Sequence, residues 1–233
     1  MLVIGELTNH ATCSGRQEYE HIVFDERYSV ILPDGNIWSY KLCTTFEFVE
    51  HDGSTKLTVT VNSPDPNEAL HWIMECGEMG WRQSLFHLKL VAELGLDLRN
   101  EIFNYPRLGV MNYTATKKQL IEQGLDSEKQ GGNYIGTSYP GGPAWQAGIR
   151  DGAIITRLAY QPVSTYRDFV RVLGSLSGKS AAPIEVVYYE NGRCLNTLIY
   201  LTYEDQFTGM IDPESISLAE VSARRRQRTK EIH

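Results

Sequence analysis

The chain has 233 residues, room for one large domain or for two ordinary ones at about 100–150 residues each. Hydrophobic residues make up 42% and charged residues 22%, a balance that excludes wholesale disorder. With 22 Lys and Arg against 29 Asp and Glu, the formal net charge is −7. That sign argues against nucleic acid as the main ligand. No apolar run reaches the roughly 20 residues of a membrane span. The opening Met1-Leu-Val-Ile-Gly-Glu-Leu7 has neither a basic stretch nor an apolar run of export length, so the cytoplasm is the expected location. Cys13, Cys43, Cys76 and Cys194 are scattered without a C-x-x-C pair. They read as small buried hydrophobes rather than as a disulfide or metal framework.

Residues 1–62 are strand-like. His21 to Leu32 is rich in β-branched and aromatic residues, and Pro33-Asp-Gly-Asn36 marks a turn before Ile37 to Leu42. Thr45 to Glu50 and Lys56 to Val61 flank His51-Asp-Gly-Ser54, which predicts a hairpin. Leu57, Val59 and Val61 share one face, opposite Lys56, Thr58 and Thr60, as suits an antiparallel sheet wet on one side. After Ser63-Pro-Asp-Pro66 the period changes. Asn67 to Leu98 is helical, with Trp81, Leu85, Leu88 and Ala92 on one stripe and Gly95 ending the main helix. The preceding sheet is the expected partner of that stripe.

Tyr105-Pro106 opens a second region that runs to about Tyr203. Its predicted strands are Tyr134 to Ser138, Ala153 to Leu158, Ile184 to Tyr189 and Leu195 to Leu201. Its predicted helices are Thr116 to Gln123, Ala144 to Ala147 and Thr165 to Leu176. Glu190-Asn-Gly-Arg193 joins the last two strands as a tight hairpin. Residues 204–233 form a tail in which Asp212-Pro213 starts a helix that ends in Arg224-Arg-Arg226, Arg228 and Lys230. Without interleaved aromatics it reads as a solvated basic helix.

Pro140-Gly-Gly-Pro-Ala-Trp-Gln-Ala-Gly-Ile149, followed by Arg150-Asp-Gly-Ala-Ile-Ile155, resembles the signature of a PDZ domain of the bacterial HtrA type, over residues 104–203. The resemblance implies a partly open β-barrel with two helices that captures protein C-termini or extended peptides. In that family the backbone amides of a loop take the peptide's carboxylate, and the following strand pairs with the peptide. Arg107-Leu108-Gly109-Val110 fits the loop and Met111 to Tyr113 the strand, with Arg107 adding charge. Tyr166 and Val170, one helical turn apart, would face the groove, while Phe169, Val172 and Leu176 have core spacing. Tyr166 stands where the family often has His, which implies an apolar peptide residue two before the end. Two departures stand out: Ala153 replaces the usual Asp, and Ala159-Tyr160 stands where Asn-Gly usually turns the chain. The module is then either a working peptide groove or a brace between domains or subunits.

Residues 1–100 resemble a truncated SRPBCC/START-like domain related to the activator of Hsp90 ATPase family. The resemblance rests on Gly53-Ser-Thr-Lys-Leu-Thr-Val59 and Gly80-Trp-Arg-Gln-Ser-Leu-Phe-His-Leu88. It implies a curved antiparallel sheet gripping a long helix around an apolar cavity. Phe46, Phe48, Trp72, Trp81 and Leu85 are the candidate lining for a hydrophobic small molecule, and ordinary core is the alternative. The first strand and helices of that family are missing, so the domain is either a fragment or shortened. An unpaired edge in a shortened sheet would be covered by a homodimer.

No catalytic constellation emerges. Gly136-Thr-Ser138-Tyr-Pro140 lacks the last glycine of a nucleophile elbow, His10-Ala-Thr-Cys13 has nothing to orient it, and His71 and His87 are too far apart to ligate one ion. The expectation is an α+β, non-catalytic, two-module binding protein without cofactor or metal. The alternatives are a hydrophobic carrier or sensor with the PDZ module as a structural or dimer contact, and the regulatory remnant of a protease.

Overall fold

A computed structural model describes residues 2–4, 7–31, 35–67, 70–98, 106–177 and 182–203, with positions 220, 223 and 227. The basic tail expected over 204–233 otherwise lies outside the described residues. The chain divides into two compact units, Met1–Glu68 with Gly209–His233, and Ala69–Thr208. Both are α+β or β in character, built on antiparallel sheets.

The first unit holds an antiparallel meander of five strands in sequence order: β1 (Leu2–Ile4), β2 (Leu7–Gln17), β3 (His21–Ile31), β4 (Ile37–His51) and β5 (Ser54–Asn62). The two strands expected on either side of Cys43 are one continuous strand, β4. The Asp-Gly hairpin forms as expected: His51 pairs with Ser54, and Asp52 and Gly53 take φ of 49° and 73°, the left-handed pair that matches strand twist. Partners across β3 and β4 place Ile22, Phe24, Glu26 and Tyr28 on the same face as Phe46, Thr44, Leu42 and Tyr40. Within this face sits a polar knot. Asn9 Nδ2 and Tyr28 Oη donate to Glu26 Oε1 at 2.6 and 2.9 Å, and Thr44 Oγ1 donates to Glu26 Oε2. Burial first, then the bond to Glu26, pushes the Tyr28 hydroxyl far above its ordinary range.

The second unit begins with α1 (His71–Leu94), shorter at both ends than the predicted helix and closed by Gly95 in the left-handed conformation, φ 67°. This helix groups with the second unit, where it packs on elements of the sheet described next. None of its residues is fully buried; Trp81 and Leu85 are half-buried, but Leu88 on the predicted stripe is 50% exposed. Polar and ring contacts to the sheet and to the last helix come from its residues 71–78.

Among the described residues the unit continues with six strands and three short helices: β6 (Val110–Thr114), α2 (Lys117–Glu122), β7 (Asn133–Ser138), α3 (Pro143–Gln146), β8 (Ile154–Leu158), β9 (Gln161–Pro162), α4 (Tyr166–Ser175), β10 (Ile184–Glu190) and β11 (Arg193–Ile199). The sheet order is β11-β10-β8-β7-β6, with β9 paired to β8 and β6 at an edge. This antiparallel α+β arrangement is consistent with a PDZ-like fold. Thr116 and Thr165 close α2 and α4 with capping boxes to Gln119 and Asp168. The core gathers Ile135, Ala144, Ile149, Ile155, Leu158, Phe169, Val172 and Val186. Ala144 and Ile149 come from the motif read in the sequence, with Pro143 at the first turn of α3 and Gly148 at φ 90°. Ala159 and Tyr160 hold φ of 47° and 64°, so the turn usually made by Asn-Gly forms here on residues with a Cβ. The cysteines depart from expectation: Cys13 and Cys194 are exposed and Cys43 and Cys76 intermediate, because β2 is exposed on both faces from His10 to Ser14 and β11 from Arg193 to Asn196.

Candidate binding groove

The loop ahead of β6 turns its carbonyls into the fold. Gly109 O accepts from Tyr139 N at 2.9 Å, Leu108 O accepts from Ala144 N at 2.9 Å, and Arg107 exchanges two bonds with Thr202 at 2.7 and 3.1 Å. Gly109 lies at φ 72°, a conformation that suits glycine. Among the described residues, no acceptor faces the amides of Leu108 and Gly109. The Leu108 side chain, 2% exposed, belongs to the core with Phe169, Val172 and Leu173. Val110 packs half-buried against the same core.

Along β6, alternate residues present their main chain to the open edge. Val110 pairs with Ser138, whose N–H goes to Asp151 Oδ1 at 2.7 Å. Asn112 pairs with Ile135, whose N–H and C=O both bond the 152–153 turn at 2.8 Å. Thr114 pairs with Asn133, and the next residue, Ala115, bonds Gly132 O at 2.9 Å. The alternation of an antiparallel ladder therefore directs Val110, Asn112 and Thr114 outward. Met111 and Tyr113 lie over Gly136, where an added Cβ would meet them at 3.0 and 3.4 Å. They cover the sheet face, and the groove edge is the main chain of their neighbours.

The opposite wall is α4. Val170 is 8% exposed, and the Tyr166 amide donates to Thr114 Oγ1 at 2.9 Å, so the two walls touch level with Thr114. Their separation is fixed by a buried pair that sequence reading missed. Asn112 Nδ2 donates to Asn133 Oδ1 at 3.0 Å, and Asn133 Nδ2 donates to Val163 O and Thr165 O at 2.8 and 3.1 Å. Asn133 thus ties β6 to the approach to α4. The glycines before it let the chain pass: a Cβ on Gly131 would meet Ser164 O at 2.7 Å, and one on Gly132 would meet Ile154 Cγ2 at 2.4 Å. The Gly-Gly pair ahead of a strand was the available signal of this close approach.

Helix α1 closes the upstream end of this groove. Glu75 Oε2 accepts from Thr114 N at 2.6 Å. The His71 ring meets Tyr113 edge-on, centroids 5.4 Å apart. Glu78 Oε1 pairs with Arg167 at 2.8 Å and with Arg82 at 2.7 Å; the Arg82 bond first and Arg167 with it hold the Glu78 carboxyl below its usual range. Burial pushes the Cys76 thiol up to about 11, against a smaller opposing effect of its bond with Tyr166. Nothing in the sequence marks Glu75 as part of a groove, since its partner lies 39 positions away.

Of the expected groove residues, Leu108, Gly109, Val110 and the β6 residues Met111 and Tyr113 come together with Tyr166 and Val170, and Arg107 is held by its bridge to Thr202. The expected cavity residues divide between the units: Phe46 and Phe48 on β4, Trp72, Trp81 and Leu85 on α1. Phe46 meets Phe24 edge-on at 6.0 Å. Phe48 lines an open surface depression of about 710 Å³ with Arg16, Tyr19, Ile22, Glu50 and Thr55, a mixed polar lining. Among the described residues no group of three or more His, Cys, Asp or Glu could hold a metal ion, and no helix is long and apolar enough to cross a membrane.

No family model matches the chain, and no curated protein matches it. Among solved structures it is similar to the HtrA3 PDZ domain bound to a phage-derived ligand, at 21% identity over 42% of this chain and 85% of that one, TM-score 0.34. It is similar to the HtrA-type protease AlgW with a decapeptide, at 16% identity over 83% of this chain and 55% of that one, TM-score 0.37. A serine endoprotease from Yersinia pestis is 13% identical over 87% of this chain and 64% of its own, TM-score 0.34. The chain thus spans less than two thirds of the length of these two proteases.

Proposed function

We propose that the second unit is a non-catalytic recognition module that captures the carboxy-terminal end of an extended peptide beside β6. The observation that carries this reading is the loop at Leu108–Gly109: its carbonyls are spent inside the fold while its two amides have no acceptor among the described residues. Adjacent amides without acceptors form a concave site for an anion, and the outward main chain of Val110 and Asn112 continues it as an edge for strand addition. Val110, half-buried at the start of the strand, offers the terminal side chain an apolar neighbour. An interface this small corresponds to an affinity on the order of micromolar.

The test is a titration of amide-labelled protein with a peptide that ends in an apolar residue, beside the same peptide with its terminus amidated. The free acid is expected to shift Leu108, Gly109, Val110 and Asn112, and amidation to weaken it at least tenfold. Equal binding of the two, or shifts that avoid this loop, would refute the proposal.

A further inference from the structure

We infer that Glu75 sets the length of the groove, so that the site takes the last three residues of a free chain end and refuses a longer paired strand. The inference rests on the peptide reading above and adds to it which peptides fit. In an antiparallel ladder, bonded pairs recur every second residue. With a terminal carboxylate at the amides of Leu108 and Gly109, the third residue from the end stands opposite Asn112 and the fifth opposite Thr114. From Val110 to Thr114 this edge is about 13 Å long at the usual rise of a strand.

At Thr114 the edge is already occupied. Its N–H donates to Glu75 Oε2 at 2.6 Å, the place where a carbonyl of the incoming strand's fifth residue would lie. Tyr166 N on Thr114 Oγ1, at 2.9 Å, brings the second wall against the first at the same level. Glu75 is held there from both sides of its own helix turn: His71, one turn before it, packs on Tyr113, and Glu78, nearly one turn after it, pairs with Arg167 of α4. A strand that pairs as far as its fifth residue must therefore displace a carboxylate from a charge-assisted bond, the stronger kind of hydrogen bond, before it gains one neutral bond of its own.

The experiment compares a tripeptide and a hexapeptide that share one apolar C-terminal sequence, on the wild-type chain, on Glu75→Ala and on Glu75→Gln. On the wild-type chain the two peptides are expected to bind within about twofold of each other, with the Thr114 amide unshifted. In Glu75→Ala the hexapeptide should gain tenfold or more and shift Thr114, while the tripeptide keeps its affinity. Glu75→Gln, whose amide oxygen still accepts from Thr114 but carries no charge, should let the hexapeptide gain less than Glu75→Ala does. Amide exchange at Thr114, slow in the wild type and in Glu75→Gln and at least tenfold faster in Glu75→Ala, reports the bond without any peptide. A hexapeptide that binds the wild type tenfold better than the tripeptide, or that gains nothing in Glu75→Ala, overturns the inference and leaves the peptide reading standing. Failure of both peptides to bind any of the three proteins overturns the peptide reading and this inference together.

Discussion

Removing the Asn133 side chain should loosen both walls of the groove at once. Asn133 is 0% exposed and makes three bonds. Asn133→Ala strands Asn112 Nδ2 and Val163 O, whereas Thr165 O keeps its bond from Phe169 N at 3.1 Å. At about 1–3 kcal/mol for each buried polar group left without a partner, the loss is about 2–6 kcal/mol. That is a large part of the roughly 5–15 kcal/mol that holds a domain folded. Asn112→Ala strands one group, Asn133 Oδ1, for about 1–3 kcal/mol. The double variant removes donor and acceptor together and strands only Val163 O, so its loss should fall short of the sum by about 2 kcal/mol or more. Urea denaturation at constant m reads all three. A loss below about 1 kcal/mol in Asn133→Ala, or strict additivity, would refute the reasoning. Asn112→Ala is the milder variant and carries the test if Asn133→Ala does not fold.

Replacing Ala159-Tyr160 by Asn-Gly should raise stability by about 1–2 kcal/mol, since both residues sit at positive φ and Tyr160, 72% exposed, gives up little packing; an unchanged or lower urea midpoint would show that the turn is unstrained. The Cys76 thiol, raised from 9.0 to about 11, ionises earlier in the unfolded chain than in the folded one. Stability is therefore insensitive to this group below pH 9 and falls as pH rises toward 11, by about 2–3 kcal/mol at 1.4 kcal/mol per unit. The pH 8 to pH 10.5 loss in urea midpoint should shrink in Cys76→Ala, and an identical loss in both proteins would remove the effect.

Much of the second unit is legible because its signals are local. Pro143 at a helix start, Ala144 packed under it, Gly148 at φ 90° and the Asn191-Gly192 turn are each demanded by backbone geometry within a few residues. The positive φ of Gly109 is legible for the same reason, since a glycine between apolar neighbours ahead of a strand is a local pattern. The departure at Ala159-Tyr160 is tolerated because β8 and β9, paired from Leu158 to Gln161, hold the turn on both sides and Ala159 N bonds Glu185 O of β10. The Glu75–Thr114 and Asn112–Asn133 contacts could not be read: they join residues 39 and 21 positions apart whose types are ordinary on any helix or strand.

Helix α1 shows where periodicity stops. A stripe of Trp81, Leu85, Leu88 and Ala92 announces an amphipathic helix and leaves its partner open, because an apolar face is non-directional and accepts any apolar surface. Contacts at the other end of the helix are polar as well as apolar: a carboxylate on a strand amide, an ion pair and a ring edge. Hydrogen bonds of that kind depend on positions to within a few tenths of an ångström, which exist only after the sheet has formed. Composition, turn chemistry and local motifs thus determined that a small antiparallel module follows a strand-rich region. Tertiary structure alone decided that Glu75 of the long helix would meet the Thr114 amide at the edge of that module.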